Sequence, residues 1–228
     1  MTHFTDLDLI SIAWFLFCSV GYSLASSFGP LSRNNMMTAM QDRRKDWMRA
    51  MAVRENRMVD VQIIANLARG NTFFASTSVI VIGGLAALLS AGQDALAIVA
   101  EIPFAQPSTL IAWHTKTILL IGLFVFAFFK FTRAFRLSHY TSILIGATPP
   151  YTGDNETACN EFAQRIAVVA GQAGYHGVVG LRVYYFAMAL LSWFIHPALF
   201  IAATTVVTIV IFRREHRAQA LKAVLEPV

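Results

Sequence analysis

Residues 108–136 read STLIAWHTKTILLIGLFVFAFFKFTRAFR, and this stretch decides the class of fold. Its first part, 108–129, is long enough to cross a bilayer as one helix, since a crossing takes about 20 apolar residues. Its last part alternates aromatic and basic residues, which is typical of an anchor at the membrane–water interface. The stretch therefore predicts a membrane-spanning helix that ends at a charged membrane surface.

The composition extends this prediction to the whole chain. Of the 228 residues, 56% are hydrophobic and 14% are charged, and the mean hydropathy is +0.56. A water-soluble domain of this length carries far more charge. Three further stretches are long enough to span: 9–28, 72–91 and 184–212. We therefore expect an all-α polytopic membrane protein, with one membrane domain over 1–228 and about four transmembrane helices.

The basic residues predict the orientation in the bilayer. Eight Lys and Arg residues lie in 29–71, whereas the amino-terminal tail and 92–107 have none. Since basic connections stay on the cytoplasmic side, we expect the connection 29–71 to lie in the cytoplasm and the amino terminus to lie outside. Four spans leave the basic carboxyl-terminal tail outside, against this rule. A fifth crossing by 166–181 would bring the tail inside, but Gln172, His176 and four glycines make that segment too polar to span comfortably.

Two segments between the spans are predicted to be amphipathic helices on the cytoplasmic side, 32–68 and 156–170. The first has methionines at helical spacing on one face and basic residues on the opposite face, a pattern typical of a helix on an anionic leaflet. Its candidate contacts to lipid phosphates are Arg43, Arg44, Lys45 and Arg49. Docking of a partner through the methionine face is an alternative. Cu(I) binding by the thioethers is a third, although no Cys or His accompanies them.

Small residues recur at intervals of three before the last span, at Gly171, Gly174, Gly177 and Gly180. Such residues let helix backbones approach closely, which is the first interpretation. The second is a re-entrant loop that lines a pore, because bare backbone at membrane depth survives only beside water or protein.

Lys116 lies about 12 Å below the outer end of its predicted span, and a lysine at the centre of a span costs about 2.5 to 3.5 kcal/mol. We expect it either to extend to the outer headgroups or to pair with Glu101. His114 and His196 also lie in spans, but within a continuous span 184–212 their rings would be offset by about 15 Å, which disfavours a haem between them.

Hydroxyl groups open the second span, at Ser76, Thr77 and Ser78. They either bond to helix backbone or line a path across the membrane. No metalloprotease motif, nucleophile elbow or Walker loop occurs in the sequence. We therefore expect no catalytic residue, no metal site, no cofactor and no nucleic-acid partner.

Several strings have a familiar pattern: RRKDWM, FFASTS, WHTK, AFFKFTRAFR, ILIGATP and RVYYFAMALLSWF. Together they resemble a family of uncharacterised bacterial inner-membrane proteins, filed as a domain of unknown function. The likeness runs from about residue 33 to residue 217. It implies a multi-span protein without an assigned activity, so no functional residue is carried over from it.

These observations favour an integral inner-membrane protein that is not an enzyme and works by assembly. It would act as a homo-oligomer or as an accessory subunit of another membrane protein, in contact with membrane lipids. The alternative is a small ion or solute channel or transporter, with Lys116, the FFASTS hydroxyls and the glycine segment along its path.

Overall fold

The computed structural model describes residues 4–28, 35–103, 105–216 and 219–225. These residues form eight α-helices and a 3-10 turn, Ser192–Phe194, that follows the sixth helix. The helices are α1 (Asp6–Phe28), α2 (Met36–Ala52), α3 (Met58–Ser90), α4 (Gly92–Ala100), α5 (Leu110–Ala147), α6 (Glu156–Leu191), α7 (Pro197–His216) and α8 (Gln219–Leu225). Five of them, α1, α3, α5, α6 and α7, are long and apolar enough to cross a membrane. The expected class, an all-α polytopic membrane protein, is confirmed.

The predicted last span, 184–212, is wrong in its bounds. The chain leaves α6 at Leu191 and starts α7 at Pro197, because proline fits the first turn of a helix but interrupts a helix that runs into it. The rejected segment 166–181 lies inside α6, so the described residues hold five candidate spans where about four were expected. The polarity of that segment was misleading, since His176 is buried in the protein, 7% exposed.

Three helices are longer than a bilayer requires. α3, α5 and α6 have 33, 38 and 36 residues, or about 50 Å and more each, against a hydrocarbon core of about 30 Å. α1 and α7 have 23 and 20 residues. The excess lies at one end of the bundle, where α2 packs beside it. We call α2 together with 58–70, 133–147 and 156–170 the helical extension.

Separate apolar clusters hold the two parts of the bundle. In the part with α1 and α7, the buried cluster includes Phe15, Leu120, Phe186, Trp193 and Phe200. In the helical extension, the buried cluster includes Met48, Met51, Ile145, Cys159 and Ile166. Both methionines are 0% exposed, so the buried face of α2 contacts protein.

The two segments predicted as amphipathic helices are parts of this packed extension. The segment 32–68 contains α2 and the start of α3, with a break at 53–57. The segment 156–170 is the beginning of α6, and its predicted apolar face includes Cys159 and Ile166, which are buried. A helix that lies by itself on a leaflet was therefore the wrong picture for both, because their apolar faces contact other helices of the chain.

The bundle has two chemically different ends. The starts of α1, α5 and α7 meet at one end together with α4, and there the backbone N–H of Gln106 donates to the carbonyl of Ile195 at 2.9 Å. The sequence at this end has acidic residues and no Lys or Arg, and we call it the acidic end. The helical extension and α8 lie at the opposite end, the basic end.

Candidate functional site: buried charges and a basic groove

Lys116 is held inside the bundle near the acidic end. Its Nζ donates to the carbonyl of Trp193 at 3.0 Å, lies 3.9 Å from Oδ1 of Asp8 and sits 4.9 Å from the centre of the Trp193 ring. Lys116 is 6% exposed and Asp8 is 7% exposed. The expected pair with Glu101 is wrong, because α1 brings a closer carboxylate to the lysine.

The carboxylate of Asp8 also accepts hydrogen bonds from groups other than this lysine. The indole Nε1 of Trp193 donates to Oδ1 at 2.7 Å, and the hydroxyl and backbone N–H of Thr5 donate to Oδ2 at 2.7 and 3.0 Å. A buried charge pair is tolerated when further hydrogen bonds satisfy both partners. The network joins α1, α5 and the 3-10 turn, so the arrangement fastens three elements to one another.

A second buried charge pair joins α6 to α7. Arg182 is 4% exposed, and its Nε and Nη2 donate to the two carboxylate oxygens of Glu215 at 2.7 and 2.6 Å. Its Nη1 donates to Ser26 Oγ at 2.7 Å, and the Tyr22 hydroxyl donates to Glu215 at 2.8 Å. Such a two-pronged contact is among the strongest and most directional in proteins.

Sequence reasoning missed this pair because Arg182 lies outside the four predicted spans, two residues before 184–212. One signal was present, namely an arginine at the head of the apolar string RVYYFAMALLSWF. An arginine next to span-forming sequence requires a partner or water. Its partner Glu215 lies in the tail that follows the apolar part of α7, and no sequence pattern connects the two.

A third buried carboxylate fixes the break between α2 and α3. Asp60 is 0% exposed and accepts hydrogen bonds from Trp47 Nε1 and Arg54 Nη1, both at 2.7 Å. Arg57 reaches across to the α5–α6 connection, where its Nη2 donates to the carbonyl of Pro149 at 2.9 Å. These contacts hold the tip of the helical extension together.

A cavity of about 510 Å³ opens between α2, α6 and α7 at the basic end, and we call it the basic groove. Apolar side chains form much of its wall, and three arginines and one glutamate supply its charges. The apolar wall includes Met36, Met40, Leu181 and Ile211, and the charged residues are Arg44, Arg182, Arg214 and Glu215.

Two arginines of the basic groove have no carboxylate partner among the described residues. Arg182 is neutralised by Glu215, whereas Arg214 donates from Nη1 to the hydroxyl of Tyr185 at 2.6 Å. Arg44 makes no hydrogen bond or ion pair with any described residue. Burial lowers the pKa of the Arg44 guanidinium, yet an arginine stays charged in proteins. The groove therefore presents two uncompensated positive charges.

The period-three glycines all lie in the continuous helix α6. A Cβ at each would meet a side chain of a neighbouring helix: Gln41 at Gly171, Arg44 at Gly174, Asn71 at Gly177 and Phe131 at Gly180. The contact at Gly174 is close, because a Cβ there would lie 2.5 Å from Nη2 of Arg44. The glycines thus give room to side chains of α2, α3 and α5, and the segment forms no re-entrant loop.

The other predicted lipid-phosphate residues of α2 are engaged at the surface of the protein. Arg43 donates to the carbonyl of Val224 in α8 at 2.7 Å. Lys45 lies 2.8 Å from Asp42 and Arg49 lies 3.6 Å from Asp46. Contact of these residues with lipid phosphates stays a prediction.

The two histidines lie at the same end of the bundle. His196 is at the junction before α7, where its Nδ1 accepts from the backbone N–H of Ala198 at 3.1 Å, and His114 lies on α5 beside Gly92. The expected offset of about 15 Å is wrong, because it assumed one helix through 184–212. Among the described residues, no group of three or more His, Cys, Asp or Glu side chains could hold a metal ion.

The hydroxyls of FFASTS bond mainly within the protein. Thr77 donates to the carbonyl of Phe73 at 2.9 Å. Ser78 is buried, with its hydroxyl 2.9 Å from the carbonyl of Phe74 and 2.8 Å from the hydroxyl of Tyr184 on α6. Ser76 is exposed on the outer face of α3.

α3 is the least buried of the five long helices. One face of it, which we call the α3 stripe, alternates exposed large side chains with small residues. The large ones are Val59, Ile63, Phe73 and Ile80, and the small ones are Gly70 and Gly84; all lie within about 100° of one another around a helix of 3.6 residues per turn. A Cβ at either glycine would meet no atom of the chain within 4 Å, so the stripe has both ridges and open gaps.

Comparison with known proteins identifies a family. The family model described as "Protein of unknown function, DUF599" matches residues 10–220. No curated protein matches the chain, and no solved structure matches it. The matched range covers α3, α5, α6 and α7 and all but the first four residues of α1, and it agrees with the resemblance carried by the sequence strings.

Proposed function

The chain belongs to the DUF599 family, whose function is unknown, and we propose that it is a non-enzymatic inner-membrane subunit that assembles with itself through the α3 stripe. The observation that carries this proposal is the length of the stripe. Its exposed apolar residues begin at Val59 and extend to Ile80 and beyond, while a bilayer covers only about 20 residues of a helix.

The part of the stripe in the helical extension needs a protein to cover it. Val59 is 65% exposed and Ile63 41%, and both lie outside the 20 or so residues of α3 nearest the acidic end. A row of exposed apolar side chains beside water marks an interaction surface. Lipid does not cover this part of the stripe, so its exposed apolar surface favours assembly with another protein chain.

A second copy of the chain fits this surface by length and direction. The bilayer fixes all copies in the same orientation, so two α3 helices related by an axis along the membrane normal present equal lengths of stripe to each other. In such an isologous contact, Phe73 and Ile80 of each copy can enter the gaps at Gly70 and Gly84 of the other. A different partner would need an extension of matching length.

The proposed orientation has the amino terminus outside and the carboxyl terminus inside. Five crossings place the α1–α3 connection, the α5–α6 connection and the segment after α7 on one side. Sixteen of the eighteen Lys and Arg residues lie in 29–71, 130–165 and 213–222, which contain these connections and the helix ends on the same side, as the positive-inside rule favours. The fifth crossing thus removes the conflict that four spans created for the basic tail.

The contacts of Lys116 favour assembly over the alternative, a small channel or transporter. A pathway lysine needs water or substrate beside it. The ammonium of Lys116 instead donates to the carbonyl of Trp193 and faces Asp8, which supports a structural role for this residue.

Cysteine crosslinking in native membranes tests the proposal. Cys18 and Cys159 are buried, so engineered cysteines report alone. Ile80→Cys and Val59→Cys should each give a crosslinked species of twice 25.2 kDa. Met188→Cys is the matched control, since Met188 is 61% exposed on α6, and it should stay monomeric. A product of any other mass at positions 59 and 80 would instead identify an accessory subunit of a different protein.

A further inference from the structure

We propose that the basic groove binds one anionic phospholipid, with its phosphodiester between Arg44 and Arg214 and one acyl chain along the apolar wall. This inference is independent of the α3 stripe, because the groove lies between α2, α6 and α7. It assigns a ligand class to a cavity that the proposed assembly does not use.

The charges of the groove select an anion. The pair formed by Arg182 and Glu215 is internally neutral, with its closest N–O distance at 2.6 Å. Arg44 and Arg214 add two positive charges, and neither has a carboxylate partner among the described residues. Guanidinium groups match phosphate oxygens in charge and in planar geometry, and they bind them with two parallel hydrogen bonds.

The position of the groove selects a membrane lipid over a free ion. It lies beside Ile211, Arg214 and Glu215, where the apolar part of α7 ends and its charged last turn begins. A lipid phosphate lies at this same boundary between hydrocarbon and water. The apolar wall includes Met36, Met40 and Leu181, and methionine adapts its shape to irregular hydrocarbon.

Gly174 positions the arginine that would meet the phosphate. Any side chain at this position would place its Cβ 2.5 to 3.0 Å from the guanidinium atoms of Arg44, so the arginine would have to move. Because glycine is there, the guanidinium lies directly against the backbone of α6 at the edge of the groove. The groove volume of about 510 Å³ falls within the range of about 300–1,000 Å³ that is usual for ligand pockets.

Native mass spectrometry of the full chain in mild detergent tests the proposal, with phosphatidylglycerol as the probe and phosphatidylcholine as the control, which has the same phosphodiester but is zwitterionic with no net charge. We expect one phosphatidylglycerol bound per chain, about tenfold more tightly than phosphatidylcholine, because the quaternary ammonium of phosphatidylcholine is repelled by the two arginines; a factor of ten corresponds to about 1.4 kcal/mol. Arg44→Gln and Arg214→Gln should each weaken phosphatidylglycerol binding about tenfold. Arg165→Gln removes the same charge from an exposed position on α6 that does not line the groove and should leave binding unchanged.

Three results would overturn the proposal. The first is equal affinity for the two lipids. The second is wild-type affinity in both glutamine variants; because Arg44 and Arg214 lie on different helices, a folding defect in one variant leaves the other to give the answer. The third is equally tight binding of glycerophosphoglycerol, the headgroup without acyl chains, which would identify a free anion site.

Discussion

Lys116 and Asp8 illustrate how a charged residue is kept within an apolar helix bundle. Besides facing each other, both residues have hydrogen bonds to the rest of the chain. Lys116 donates to the carbonyl of Trp193, and Asp8 accepts from the hydroxyl of Thr5 and from the indole of Trp193. The pair is costly to form but far more costly to break, because removing one partner leaves the other charge buried alone.

Replacing Lys116 by methionine should therefore destabilise the protein by about 3–5 kcal/mol, the usual cost of leaving a buried charge unpaired. The double variant Asp8→Asn, Lys116→Met should recover much of this loss, since no charge is then left without a partner. Thermal unfolding in detergent measures both variants. Lys45→Met, at an exposed position on α2, is the control, and a single variant as stable as this control would contradict a buried pair.

Gly180 and Gly122 differ in their surroundings although both are helical glycines. A Cβ at Gly180 would lie 2.8 Å from the ring of Phe131, while a Cβ at Gly122 would meet nothing within 4 Å. Gly180→Ala should lower stability by about 1–3 kcal/mol through overpacking. Gly122→Ala should be neutral or stabilise by up to about 1 kcal/mol, because alanine is the better helix former. Equal effects in an unfolding experiment would show that α5 and α6 are not closely packed at Gly180.

The sequence showed that Lys116 needs a partner, but it could not identify that partner. Charge and apolar context are local properties, and both can be read along the chain. The choice between Glu101 and Asp8 depends on which helices are neighbours, and that depends on packing between segments far apart in sequence. Arg182 and Glu215 were missed for the same reason.

α2 is the element whose surroundings the sequence predicted least well. Its amphipathic pattern was correctly read, but an apolar face contacts a lipid surface and a protein core with the same residues. The structure distinguishes the two, since Met48 and Met51 are 0% exposed against α5 and α6. An amphipathic sequence pattern predicts that a helix has an apolar face and a polar face, but it does not predict whether lipid or protein covers the apolar face.

A charge at Met51 should release α2 from the helical extension. Met51→Asp would bury a carboxylate without a partner, which is strongly unfavourable, so α2 should become a substrate for trypsin at its basic residues. Limited proteolysis of membrane vesicles whose outer surface displays the basic end of the protein measures this digestion. Met40→Asp, at a position that is 36% exposed, should stay resistant. Equal digestion of both variants would mean that α2 is not packed as described.

α6 is one continuous helix that the sequence analysis divided into an amphipathic helix, 156–170, a rejected crossing, 166–181, and the start of the span 184–212. Four glycines and His176 lowered the apparent hydrophobicity of its middle, yet these residues contact other helices of the bundle. Hydropathy assumes that a span faces lipid all around. It underestimates helices whose polar and small residues face protein, and α6 is such a helix.

At the scale of the whole molecule, crossing of the membrane by all five long helices would place the two termini on opposite sides. With the amino terminus outside, the carboxyl terminus is expected inside, on the same side as the helical extension. Green fluorescent protein fused after residue 228 should fluoresce, and alkaline phosphatase fused after residue 95 in α4 should be active. An active alkaline phosphatase at the carboxyl terminus would contradict this orientation, because it would place both termini outside and require an even number of crossings.

The central claim is that the chain works by assembling with itself, and native mass spectrometry of the wild-type protein extracted in mild detergent tests it most directly. The account predicts one homo-oligomer of fixed number, with a mass that is a multiple of 25.2 kDa apart from bound lipid. A protein that is monomeric at every concentration, or that is held in a complex with a different protein, would contradict it.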